Sequence, residues 1–121
     1  MPDDRFPVTW SGRSATVVVP TELDLTISDG LREALLGALN AGALGLVVDM
    51  TTTTFCDSAG ISAITRAMRR AAASEATMRL AVTAPAVLRV LDLVGIDRLI
   101  DIYPSVEAAL ASLPEHGRNV S

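Results

Sequence analysis

Apolar residues in this chain fall into short runs whose spacing alternates between the strand and helix periods. Thr16-Val17-Val18-Val19-Pro20 is β-branched and closes on a proline, which predicts a strand ending there. A shorter strand around Val8–Ser11 precedes it through the polar turn Gly12-Arg13-Ser14. Thr26-Ile27-Ser28-Asp29 fits a capping box with Thr26 as N-cap. The helix it opens carries Ile27, Leu31, Leu35 and Leu39 on one face, and Gly42 is placed to stop it. Residues 44–50 form a continuous apolar run, as expected of a strand covered on both faces, with Asp49 near its C-terminal end.

After the polar stretch 51–54 and Phe55, the spacing predicts a helix over Ser58–Ala73, with Ile61, Ile64, Ala67, Met68 and Ala71 inward. Residues 78–84 read as another strand, and Pro85–Val94 as a short helix stopped by Gly95. Residues 99–103 read as a last strand, and Ser105 as the cap of a final helix to about Leu113. Strands alternating with helices predict an α/β layered fold. One domain is expected over the whole chain, with a core at about 8–113 and flexible ends at 1–6 and 114–121.

Composition narrows the function classes. Half of the 121 residues are apolar but only 3% are aromatic, so one core is expected, built from Ala, Val, Leu and Ile. The net charge of −4 argues against a nucleic-acid or anionic-membrane surface. All ten basic residues are Arg, which removes a phosphate-loop lysine, a Schiff-base lysine and a lysine general base. Cys56 is the single cysteine, so no intrachain disulfide is expected and a reducing compartment fits. The first ten residues carry Asp3, Asp4 and Arg5 and no apolar segment, and no apolar run approaches a membrane span. A cytoplasmic protein without membrane contact is the expectation.

The segment Asp57-Ser58-Ala59-Gly60 concentrates the candidate chemistry. It lies between a strand and a helix, on the edge where open α/β sheets carry their functional residues. Asp24 and Asp49 follow or end other strands on that edge. Ser58 reads either as a plain helix cap or as an exposed hydroxyl, since Asp57 is an equally good cap. A phosphate on Ser58 would meet helix N–H groups and the positive end of the helix dipole. It would also meet Asp57, and Asp24 and Asp49 if they lie near, as like charges. No arginine is close in sequence; Arg66 is two helical turns away. Such a modification, adding about −1.5 to −2 charge, would change surface potential more than fold.

A hydrolytic Ser58 would need a base, and the chain has one histidine, His116, in the polar tail. A catalytic Cys56 fails for the same reason, so no enzyme activity is expected. Mg²⁺ among Asp24, Asp49 and Asp57 is conceivable, but capping or partner contact suits these carboxylates better, and neither a metal nor a cofactor is expected. Arg66, Arg69 and Arg70 share one side of the helix that starts at Ser58, either as a solvated face or as a docking surface.

Three strings in order, Glu22-Leu23-Asp24, Val47-Val48-Asp49-Met50-Thr51 and Phe55-Cys56-Asp57-Ser58-Ala59-Gly60-Ile61, resemble the STAS family, specifically the bacterial anti-sigma factor antagonists. Val90-Leu91-Asp92-Leu93-Val94-Gly95-Ile96-Asp97-Arg98-Leu99 and Tyr103-Pro104-Ser105-Val106-Glu107-Ala108-Ala109-Leu110 resemble the family's C-terminal signature. The resemblance covers residues 8–113. It implies a single STAS domain, a mixed and mostly parallel sheet packed with four to five helices.

It also implies partner switching. An unphosphorylated antagonist binds an anti-sigma factor that is itself a serine kinase and thereby frees a sigma factor. Phosphorylation from ATP at the serine after the Asp, here Ser58, ends the complex, and a metal-dependent serine phosphatase restores the binding form. Asp24, Asp49, Asp57, Ala59, Gly60 and Arg66 are then the expected partner-contacting neighbours of Ser58. Two departures stand out: Pro20-Thr21 precede Glu22 where a glycine is usual, and Cys56 replaces an aliphatic residue. A STAS module that senses a ligand or acts as a scaffold, without phosphorylation, is the competing expectation.

Overall fold

The computed structural model describes residues 6–114. Its main sheet has five strands in the order β1-β2-β4-β6-β7. β1 (Val8–Ser11) and β2 (Ser14–Val18) form an antiparallel hairpin across Gly12-Arg13. From β2 on, every neighbour is parallel: β4 (Gly45–Met50), β6 (Thr77–Val82) and β7 (Ile102–Tyr103). Parallel neighbours require crossovers, and helices supply most of the length. α1 (Ser28–Asn40) lies between β2 and β4, α2 (Ser58–Ala73) between β4 and β6, and α3 (Pro85–Val94) between β6 and β7; α4 (Val106–Ala111) closes the chain. Among the described residues the chain forms the expected mixed, mostly parallel sheet, with four α-helices where four to five were expected.

Alternation along β4 divides the core in two. Leu46, Val48 and Met50 join Leu31 and Leu35 of α1, Ile64 and Ala67 of α2, and Leu91 of α3 in the larger cluster. Val47 points the other way, into a smaller cluster with Ala81, Ala109 and Leu113. A strand buried on both sides has no room for the polar alternation of a half-exposed one, which is why residues 44–50 read as unbroken apolar sequence. Phe6, expected in the loose N-terminal end, is 2% exposed and belongs to the larger cluster. Of the two expected loose ends, residues 1–5 and 115–121 lie outside the described residues, His116 among them, while Pro114 is half-buried.

Helix boundaries follow local chemistry. α2 and α3 begin and end where the periodicity places them. Gly95 after α3 has φ +82° and Gly42 after α1 has φ +99°, left-handed values that suit a residue without Cβ.

Three details differ from expectation. Thr26 does not cap α1; that helix starts at Ser28 with Ile27 in the cap position and no side-chain cap bond. Thr26 is turned back onto Asp24 instead, and the Asp24 carbonyl accepts the N–H groups of Ile27 and Ser28. Asp29, placed in that box, pairs with Arg32 at 3.5 Å. Residues 99–103 form only the two-residue β7, because a 3₁₀ turn at Ile96–Arg98 first carries Ile96 and Ile100 into the core. A second, two-stranded sheet of β3 (Glu22–Leu23) and β5 (Phe55–Cys56) also lies beyond what the residue pattern predicts.

Candidate functional site

That small sheet assembles the site. β3 and β5 pair in parallel, Glu22 opposite Phe55 and Leu23 opposite Cys56. The contact extends on both sides: Thr54 N–H donates to the Thr21 carbonyl at 2.7 Å, and Asp57 N–H to the Leu23 carbonyl at 3.1 Å. Beneath, the fully buried Thr53 hydroxyl donates to the Pro20 carbonyl at 2.9 Å. Pro20 and Thr21 therefore act as carbonyl acceptors that hold the second loop. The loop carrying Asp24 and the loop carrying Asp57-Ser58, more than thirty residues apart in sequence, become one surface.

Asp57 is the fastener. Its Oδ1 accepts the N–H groups of Ala59 at 3.0 Å and Gly60 at 3.1 Å, capping α2. Its Oδ2 accepts the N–H of Leu25 at 3.1 Å, from the other loop. The cap role is thereby filled, and Ser58 occupies the first helical position. Its side chain is exposed and takes no hydrogen bond among the described residues. Ser58 is thus a hydroxyl presented to solvent at a helix N-terminus whose Ala59 and Gly60 N–H groups Asp57 already holds.

Gly60 makes the close fit possible. A Cβ there would come within 2.7 Å of Leu23 Cγ, 2.8 Å of Leu23 Cδ2 and 2.9 Å of Cys56 Sγ. Leu23 is fully buried and Cys56 is 5% exposed, so α2 rests directly on the β3–β5 pair through a residue without a side chain. Burial, and after it the Asp57 charge, pushes the Cys56 thiol up to about 11. A thiol so protonated at neutral pH is a poor nucleophile; Cys56 packs beneath the loop.

Asp24 and Asp49 share one local device. Asp24 Oδ1 accepts the N–H of Thr26 at 3.0 Å and its hydroxyl at 2.5 Å. Asp49 Oδ1 accepts the N–H of Thr51 at 3.0 Å and its hydroxyl at 2.6 Å. Each carboxylate tightens the turn leaving its strand, an Asx-type arrangement. The Thr26 hydroxyl holds the Asp24 carboxyl below its ordinary value. Asp24 is joined to Ser58 through Leu25 and Asp57. Asp49 has no such link: its neighbour Thr51 is tied instead to Thr83 after β6. Among the described residues, no group of three or more His, Cys, Asp or Glu could hold a metal ion, and no helix is long and apolar enough to cross a membrane.

Of the three arginines read on one side of α2, Arg70 is tied to Asn40 of α1 and to Ser74. Arg66 and Arg69 stay exposed. Two apolar residues to which the residue pattern gives no role at the site flank the serine loop: Leu25 is 74% exposed and Phe55 49%. Leu25 was discoverable, as a lone apolar residue within the polar turn Asp24-Leu25-Thr26. Phe55 belongs to β5, and a two-residue strand has no periodicity to betray it.

Comparison with known proteins places the fold. The chain is similar to a proposed anti-sigma factor antagonist from Thermotoga maritima, with 20% identity over 91% of this chain and 95% of that one and a TM-score of 0.82. It is similar to an anti-sigma factor antagonist from Mycobacterium paratuberculosis, with 24% identity over 89% and 92% and a TM-score of 0.79. It is similar to the anti-sigma factor antagonist SpoIIAA in its unphosphorylated form, with 22% identity over 85% and 91% and a TM-score of 0.73. SpoIIAA, described as a Bacillus cell fate determinant, is also solved phosphorylated, and that form gives a TM-score of 0.68 at 19% identity. At such identities the likeness is one of fold. No curated protein matches the chain. The STAS domain family model matches residues 8–109, most of the sequence, and on that match the protein belongs to the STAS domain family.

Proposed function

We propose that this protein is an anti-sigma factor antagonist that works as a phosphorylation-controlled binding switch. Unphosphorylated, it binds an anti-sigma factor with serine kinase activity and so frees a sigma factor. The Ser58 Oγ then attacks the γ-phosphorus of ATP held by that kinase; the new O–P bond forms as the bond to ADP breaks, and a base of the kinase takes the hydroxyl proton. The phosphate adds about −1.5 to −2 charge next to Asp57 and near Asp24, and the complex separates. A serine phosphatase hydrolyses the ester and returns the binding form. Turnover belongs to the partners; this chain contributes a surface, in the cytoplasm where ATP and a reduced Cys56 coexist.

The observation that carries this reading is the division of labour at the helix start. Asp57 takes the whole capping role, which leaves the Ser58 hydroxyl exposed and free to be modified without unfastening α2. The fold shared with SpoIIAA, which is solved in unphosphorylated and phosphorylated forms, supports it. Incubation with a purified serine-kinase anti-sigma factor and ATP should place one phosphate on Ser58 and none on Ser58→Ala. Label elsewhere in the wild-type chain, or none with any such kinase, would overturn the reading.

A further inference from the structure

Below the serine, the packing of α1 against α2 leaves a groove of about 240 Å³. Its walls are small or apolar where the helices meet, Ala59, Ser62 and Ala63, and Leu25 overhangs one side. Two cations line it, Arg32 and Arg66. Arg32 is partly neutralised by Asp29 at 3.5 Å, whereas Arg66 makes no ion pair among the described residues. The volume falls short of the roughly 300–1,000 Å³ of small-molecule sites, so the groove suits one or two side chains of a macromolecule.

The charge pattern says which. At the top of α2 the side chains are acidic, Asp57 with Asp24 across the β3–β5 loop pair. Two turns down they are basic, and the chain as a whole is acidic at −4. A partner attracted only by net charge would meet the wrong sign at Arg66. The face is therefore two-signed, and a two-signed face sets the register of its partner more than its affinity.

The geometry points to the α1–α2 groove as the orienting half of the partner interface: it receives an aliphatic side chain of the anti-sigma factor against Leu25 and Ala59, with a neighbouring Asp or Glu on Arg66. This rests on the antagonist reading above and assigns a second anchor to it. The groove holds the kinase in register with Ser58 at its mouth, whereas phosphorylation acts at the acidic end.

The test uses the full chain and the purified anti-sigma factor kinase that labels Ser58. Arg66→Glu should raise Kd about tenfold or more, and flatten the salt dependence of binding. It should raise KM for phosphorylation in step while leaving kcat within about twofold, because the serine itself is untouched. Ser62→Leu, which fills the groove from an exposed position without changing charge, should raise Kd similarly. Both positions are exposed, so both variants should keep the wild-type urea midpoint. Arg89→Ala on α3 should bind as wild type. Arg66→Glu and Ser62→Leu both binding within twofold of wild type, while Ser58 is still labelled, would overturn the groove and leave the antagonist reading standing. Failure of the wild-type chain to bind or be labelled by any such kinase would overturn both.

Discussion

Replacing Asp57 by Ala should cost far more stability than replacing Ser58 by Ala, although the two are adjacent at a helix start where either could serve as cap. The magnitude follows from the bonds. Asp57→Ala removes the acceptor of the Ala59 and Gly60 N–H groups, and loss of such a cap costs about 0.5–2 kcal/mol. It removes a negative charge from the helix N-terminus, about 0.3–1 kcal/mol more. It also frees the Leu25 N–H, an exposed bond at the low end of about 0.5–1.5 kcal/mol. The total is about 2 kcal/mol.

Ser58→Ala removes no hydrogen bond and should stay within about 0.5 kcal/mol of wild type. Asp57→Asn, which keeps an accepting oxygen but not the charge, should fall between. Urea denaturation followed by circular dichroism reads all three; with a slope of about 1–3 kcal/mol/M, the Asp57→Ala midpoint should drop by about 1 M. A loss of 1 kcal/mol or more from Ser58→Ala, with Asp57→Ala nearly neutral, would refute the division of labour.

Other outcomes follow from the same geometry. Gly60→Ala pushes a methyl group against Leu23 and Cys56; overpacking of about 1–3 kcal/mol should outweigh the roughly 1 kcal/mol gain in helix propensity, and a urea midpoint equal to or above wild type would contradict the close fit. Cys56, buried and with its thiol raised to about 11, should resist iodoacetamide at pH 8 in the folded protein and react only in denaturant; rapid alkylation of the native chain would show that the β3–β5 loop pair opens. Asp24 ionises more readily in the folded chain because the Thr26 hydroxyl donates to it. Its contribution is therefore complete above the ordinary value of 3.8 and is lost as pH falls below it through the lower folded value. Thr26→Val should flatten that acid-side fall in urea midpoint, and an unchanged profile would contradict the assigned cause.

Much of this architecture was legible because it is periodic. The spacing of Ile64, Ala67 and Ala71 placed α2, the unbroken apolar run placed β4, and Pro85 with Gly95 bracketed α3. The serine loop was legible as a constellation but not as a geometry. Asp57 and Ser58 competed for the cap on equal terms, and only the fold, by bringing the Leu25 N–H to Asp57 Oδ2, gave both carboxylate oxygens something to hold. The β3–β5 pairing was hidden for two reasons. Each strand is two residues long, and the bonds around it run from Thr53, Thr54 and Asp57 to the carbonyls of Pro20, Thr21 and Leu23, in stretches whose composition reads as loop. Thr26 misled for a related reason: a threonine two residues after Asp24 donates its hydroxyl to that carboxylate, which turns it away from the helix N–H groups a cap accepts.

If charge on Ser58 governs binding, the affinity of one anti-sigma factor kinase for three forms of this chain must follow that charge. Unphosphorylated wild type and Ser58→Ala should bind alike, and enzymatically phosphorylated wild type should bind at least about tenfold more weakly, or 1.4 kcal/mol, with an unchanged urea midpoint. Equal affinity of the phosphorylated and unphosphorylated chains would contradict the account.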